Sequence, residues 1–242
     1  MTWEEARDRA GPRAVAVLPV GAMEAHGPHL PLSTDVVIAE AMAVAGAERL
    51  AREGRDVLLL PALPYTAAGF AADFPGTLSV GAEAVAALLL DVTRSLARHG
   101  VGVTALANAH LDPAHLEALR EAVSRAAAEG LTLVAPDLTR RALAARLTEE
   151  FRSGACHAGR FEGSVVLARR PALVRREAMQ ALPEVPVSLS DAVRDGRSGF
   201  VDAGLERAYC GAPAEATPSE GEATIETLGL ILAEAVLEAA PA

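Results

Sequence analysis

Short runs of continuous apolar residues alternate along this chain with longer stretches in which apolar positions recur at helical spacing. Ala14 to Val20 is such a run, closed by Gly21, and unbroken apolarity over so short a length predicts a strand buried on both faces. Val57 to Leu60, Val101 to Leu106 and Leu131 to Ala135 repeat the pattern. Between them, three stretches predict helices: Val36 to Arg52 closed by Gly54, Ala82 to Arg98 closed by His99-Gly100, and Pro113 to about Gly130. Ser33, Thr34 and Asp35, all cap-type residues, place Asp35 at a helix start. Further helices are predicted over Asp137 to Phe151 and Glu220 to Ala239. Strand and helix in such alternation predict an α/β fold with a mainly parallel sheet and helices on both faces.

Three segments break the pattern. Pro61 to Thr77 is irregular, follows a buried strand and is a candidate pocket wall. Arg152 to Ser164 is Gly-rich and precedes another apolar segment, while Pro183 to Tyr209 is punctuated by Pro and Gly without a clear period. The last of these reads either as a flap or as an oligomer contact. No repeat at solenoid periods is present.

The 242 residues are 51% hydrophobic with no long polar or low-complexity stretch, which predicts one domain over residues 1–242. A net charge of -10 offers no basic patch to nucleic acid or to an anionic membrane. No apolar run approaches the ~18–20 residues of a membrane span, and Met1 to Ala6 has no secretory pattern. The two cysteines, Cys156 and Cys210, lie outside any CxxC pair, so a soluble protein of the reducing cytoplasm is expected. Every basic residue is Arg and Asn108 is the single Asn, features of coding bias or a hot habitat rather than of function.

Two polar clusters follow predicted strands. The first, from Gly21 to Asp35, holds Glu24, His26 and Asp35; Glu24 and His26 are two apart and share a side if the chain is extended there. The second holds His110 and Asp112, again two apart at a strand end. Ligands of open parallel sheets bind outside the carboxyl ends of the strands, where both clusters fall. Glu24, Asp35, Asp112, His26 and His110 supply oxygen and nitrogen donors suited to Zn, Mn or Fe. Five donors exceed the need of one catalytic zinc but suit two divalent metal ions sharing a bridging carboxylate, a pair that activates water for hydrolysis. His157 and Glu162 are the candidate acids for a leaving nitrogen.

Glu24-x-His26-Gly27-x-His29-Leu30-Pro31-x-x-Thr34-Asp35 resembles the signature of the creatininase (creatinine amidohydrolase) family. Phe74-Pro75-Gly76-Thr77, Asn108-x-His110, His157-Ala158-Gly159-x-x-Glu162-x-Ser164 and Gly211-Ala212-Pro213 to Gly221 are similar to further blocks of it, so the resemblance covers nearly the whole chain. It implies a three-layer α/β/α sandwich, a homo-oligomer that is often a hexamer, and a dinuclear metal centre hydrolysing cyclic amides, formamides or related C–N bonds. By that resemblance Glu24 and His110 hold one ion, His26 the other, and Asp35 bridges. Asp112 stands where creatininase has a glutamate ligand, and Glu162 is the alternative donor.

Departures from the family concern substrate. Thr66, Ala68, Phe70 and Ala71 stand where many members carry Gly, Ser and a Glu-His pair, and the single Trp, Trp3, lies far from every motif, which argues against creatinine itself. The leading expectation is a small cyclic amide or formamide. The alternatives are a peptidase acting on a short modified peptide, favoured by an open crevice, and a catalytically silent metal-binding assembly protein. Several residues also have plainer readings: Asp112 before Pro113 as a helix cap, His29 hydrogen-bonded within its loop, His99 and His115 solvated, and Cys156 as a small buried residue.

Overall fold

The computed structural model describes residues 1–240; the last two residues of the expected 1–242 domain lie outside the described ones. A four-stranded parallel sheet forms from β1 (Val15–Val20), β2 (Val57–Leu59), β3 (Val103–Asn108) and β4 (Leu133–Val134), in the order β2-β1-β3-β4. Among the described residues ten α-helices accompany it: α1 (Trp3–Arg9), α2 (Thr34–Arg52), α3 (Ala82–Arg98), α4 (Pro113–Ala128), α5 (Arg141–Ala144), α6 (Glu149–Ser153), α7 (Arg160–Arg169), α8 (Arg176–Gln180), α9 (Leu189–Arg194) and α10 (Pro218–Ala239). The expected three-layer α/β/α sandwich is what the chain forms.

The continuous apolarity of β1 and β3 has its cause in this layering. Val15 and Val17 of β1, with Val103, Ala105 and Ala107 of β3, pack beneath Ile38 and Met42 of α2 and Ile225, Leu228 and Leu232 of α10. Leu18 and Val20 of β1 and Leu106 of β3 face the other way, against Leu89 and Leu90 of α3 and Leu119 of α4. Side chains alternate across a strand, so a strand covered on both faces must be apolar at every position. Each fully buried Leu or Ile contributes roughly 1.5–3 kcal/mol through the surface it removes from water.

The strand order reverses direction at β1: its crossover through α2 leads outward to β2, and α3 carries the chain back to β3 on the other side. The register pairs Val20 directly with Asn108, so the carboxyl ends of β1 and β3 emerge side by side at the switch point. A crevice forms there because the following loops leave in opposite directions.

Some boundaries differ from expectation. β3 runs two residues later than predicted, so Asn108 is its last residue rather than part of the loop. The predicted helix over Asp137 to Phe151 is two short helices, α5 and α6, for local reasons. Asp137 Oδ1 accepts from Thr139 N at 3.0 Å in a turn, and Thr148 caps a new start by accepting from Phe151 N. α1, outside the predicted elements, is exposed along its length and held by a capping box between Thr2 and Glu5. Among the described residues no helix is long and apolar enough to cross a membrane.

Candidate metal centre

The loop after β1 is fastened at each end. Gly21 donates to Leu63 O, and a Cβ at Gly21 would stand 2.6 Å from Val36 N and 2.7 Å from Asp35 C, so only glycine lets the exit of β1 touch the first turn of α2. Asp35 is thereby brought beside Glu24 and His26. Between these points Glu24 N bonds Leu32 O, Ala25 N bonds Thr77 Oγ1, and Gly27 N bonds Ala208 O. Thr66 Oγ1 donates to Gly21 O at 2.9 Å, so this substituted position braces the loop from behind.

Glu24, His26, Asp35, His110, His157 and Glu162 converge in one buried cluster, each less than a tenth exposed. Three donor groups form within it: Glu24, Asp35 and His110; His26, Asp35 and Glu162; and Glu24, His26 and His157. The donor atoms of each lie within 4.8 Å of one another. Asp35 Oδ1 is 3.2 Å from His26 Nε2 and Asp35 Oδ2 is 3.0 Å from His110 Nδ1, so its two oxygens face different groups. His26 Nε2 is also 3.4 Å from Glu162 Oε2, and His110 Nδ1 is 3.4 Å from Glu24 Oε1.

Each imidazole is held from behind by a backbone carbonyl. His26 Nδ1 bonds Glu24 O at 3.1 Å, His110 Nε2 bonds Ala67 O at 2.8 Å, and His157 Nε2 bonds Ala25 O at 2.9 Å. A ring nitrogen facing a carbonyl must carry the proton, leaving the inner nitrogen as a donor atom toward the cluster. Despite the short approaches, His26 Nε2 and Asp35 Oδ2 have no hydrogen-bond partner among the described residues. Buried polar atoms left without partners are costly, and a divalent cation is what this set of carboxylates and outer-locked imidazoles fits.

The electrostatics agree. Burial alone would depress the basicity of His26, but Asp35, Glu162 and Glu24 outweigh it and raise its pKa to about 10. Burial opposes charge on His110 too, and Glu24 and Asp35 again prevail and raise it. Burial would raise Asp35, yet His26 and His110 hold it below the ordinary carboxylate range. Burial lifts Glu162 above the usual range, partly offset by His26. Burial, reinforced by positive His26, keeps His157 neutral. The cluster thus demands positive charge at His26 and His110, positions where a metal ion would substitute for protons.

Asp112 stands apart from these groups. Its Oδ1 accepts from Ala114 N and His115 N at the start of α4 and its Oδ2 from Phe70 N, so both oxygens already serve backbone donors. Glu162, delivered by the first turn of α7, occupies the place beside His26.

Other residues matter that sequence reasoning did not select. His115, expected at the surface, is fully buried; its Nε2 meets Asn108 Oδ1 at 2.9 Å, and Asn108 Nδ2 donates to His110 O at 2.8 Å. Phe200, from the segment read as a flap or an oligomer contact, lies over His157 with ring centroids 4.2 Å apart and packs edge-on to Phe70 and Phe74. The chain has five Phe, and Phe151 and Phe161 also pack together nearby, so the scarcity of aromatics was a usable signal.

A cavity of about 540 Å³ opens from the cluster. Glu24, Asp35, His110, His157 and Glu162 line it together with Phe70, Phe200, Leu116, Arg120, Arg152 and Val193. Pockets of roughly 300–1,000 Å³ enclose most of a drug-sized ligand.

The creatininase family model, described as creatinine amidohydrolase, matches residues 1–236. The chain is similar to the mycofactocin precursor peptide peptidase of Mycobacterium tuberculosis (strain ATCC 25618 / H37Rv), 36% identical over 210 residues that cover 85% of this chain and 77% of the relative. Among solved structures it is similar to a creatininase with Mn, at TM-score 0.72 and 26% identity, covering 100% of this chain and 97% of that one. A mutant creatininase of Zn–Zn type gives TM-score 0.71 and 25% identity over the same shares.

Proposed function

The chain belongs to the creatininase family, and on that premise we propose that it is a metal-dependent hydrolase cleaving an amide C–N bond of a short peptide. Cavity size carries this choice of substrate: about 540 Å³ beyond the donor cluster is far more room than one small ring needs. The relative from Mycobacterium tuberculosis, named a peptidase, supports the same reading. The small cyclic amide or formamide expected from the sequence is the second reading, favoured by the description of the family model as creatinine amidohydrolase.

In this reading Glu24, Asp35 and His110 would hold one divalent ion and His26, Asp35 and Glu162 a second, Asp35 being common to both donor groups. When bound there, Zn, Mn or Fe would supply an activated water and a Lewis acid for the carbonyl. Asp112 shapes the cavity wall as a cap rather than as a ligand. His157 moves the proton: neutral, fixed through Nε2 to Ala25 O and covered by Phe200, it presents Nδ1 to the cluster 3.8 Å from Glu24 Oε1. Phe70 and Phe200 exclude water from that side and offer an apolar surface to the substrate. The enzyme would work in the cytoplasm as a single-domain subunit of a homo-oligomer.

Testing this requires metal-replete protein offered short peptides alongside lactams and formamides, with His157→Asn as control. Turnover of peptides, lost in the variant while metal content stays at that of the parent, is expected. Turnover of the small cyclic compounds alone would transfer the assignment to the second reading, and turnover of nothing would point to the silent assembly protein.

A further inference from the structure

Glu150 lies outside the donor cluster and is buried without a cationic partner among the described residues. Its carboxylate is nevertheless saturated. Oε1 accepts from Arg160 N at 2.9 Å and Ala212 N at 2.7 Å, and Oε2 accepts from Phe161 N at 2.6 Å. Arg160 and Phe161 open α7, whose own N-cap, Gly159, provides no side-chain hydrogen bond. Two of the orphan donors that begin any helix are therefore satisfied here from α6, about ten residues upstream, by a carboxylate at the positive end of the helix dipole.

The surroundings are shaped to admit that carboxylate. A Cβ on Gly159 would sit 2.8 Å from both Glu150 oxygens, and one on Gly211 would run into Oε1. Gly211 also has φ +80°, a conformation that favours glycine. From Gly211 the tether continues: Val185 and Gly211 exchange backbone hydrogen bonds, Cys210 N donates to His157 O at 2.8 Å, and His157 N approaches Cys210 Sγ at 3.4 Å. At the other branch Ala158 N donates to Glu162 Oε2 at 2.6 Å. His157, Ala158 and Glu162 thus belong to one short segment whose far side is pinned to Glu150.

We infer that Glu150 is a positioning residue for this site: by capping α7 and holding Ala212, its buried carboxylate sets where His157 and Glu162 stand relative to Glu24, His26 and Asp35. The inference rests on the assignment of Glu162 and His157 made above. It also gives the run Thr148-Glu149-Glu150 a role, since Thr148 caps α6 and thereby orients the glutamate that caps α7.

The test compares Glu150→Gln, Glu150→Asp and Glu162→Gln, titrated with Mn²⁺ or Zn²⁺ alone, with amide hydrogen exchange followed across residues 157–169 and 209–213. Glu150→Gln replaces one acceptor oxygen by a donor group facing a backbone N–H. It is expected to weaken the second ion by about 10–100-fold, the usual scale for outer partners of a metal site, while the first ion binds as in the parent. Exchange is expected to quicken at Arg160, Phe161 and Ala212 without a global change, and Glu150→Asp, which keeps the charge but shortens the reach, falls between. If Glu162→Gln weakens the second ion but Glu150→Gln folds, leaves both affinities intact and changes only thermal stability, the positioning role is overturned. If Glu162→Gln also leaves metal binding intact, the assignment of Glu162 is what fails. Should Glu150→Gln not fold, Glu150→Asp decides by the same two readouts.

Discussion

His115 Nε2 and Asn108 Oδ1 meet at 2.9 Å in a buried bond between α4 and the end of β3, and the same Asn108 side chain donates to the carbonyl of His110. A donor residue of the cluster is therefore held by a polar chain that starts on a helix.

Replacing His115 by Leu breaks this chain. Loss of a buried partner costs about 1–3 kcal/mol, and loosening of the segment behind His110 is expected to weaken metal binding on the order of 10-fold or more. Thermal unfolding of the metal-free protein and competition titration with a chelating dye measure the two effects. A variant that loses stability yet binds metal as tightly as the parent would show that the chain supports the fold alone.

Asp112 and Asp35 make opposite predictions. Asp112→Ala removes a cap and is expected to cost about 0.5–2 kcal/mol with metal content unchanged, whereas Asp112→Asn retains most of the stability. Asp35→Asn is expected to lower metal content sharply, since its two oxygens face both donor groups. Elemental analysis of the purified variants checks this. Metal lost from Asp112→Asn would return Asp112 to the ligand set.

His29 is fully buried, and neither ring nitrogen has a hydrogen-bond partner among the described residues. Burial pushes its pKa down from 6.5 to about 4, with His26 and Arg207 adding to the effect. Between those values the unfolded chain takes up a proton that the folded chain refuses, so this contribution to stability falls as pH drops below about 6.5 and levels off below about 4. Denaturant titrations across that window should show the parent losing stability relative to His29→Gln. Parallel curves for the two proteins would mean that His29 already finds a partner for its charge.

Much of this was legible in the sequence because the relevant physics is local. The strands declared themselves because β1 and β3 are covered on both faces, and Glu24, His26, Asp35 and His110 because donor spacing and strand ends sit close together in the chain. What was hidden depends on partners far away. Glu150 looks like one acid in a polar run until Arg160 and Ala212 reach it, and His115 fits a solvated helix position until Asn108 turns toward it. Asp112 could be read as a cap or as a ligand from its neighbours alone, and its bond to Phe70, far away in the chain, could not be foreseen from them. Phe200 gave no period to read; it acquires meaning only against His157.

The packing of α10 on α2 and α7 has a temporal consequence. As the chain is synthesised, Glu24, Asp35 and His110 are present early and Glu162 later, and α10, the helix that buttresses the carriers of Asp35 and Glu162, follows all of them. Every donor can therefore exist on a growing chain before the site is enclosed. Tight loading with metal is expected only once α10 has been made, and a chain cut before Pro218 would carry every donor of the cluster without the helix that buttresses two of them.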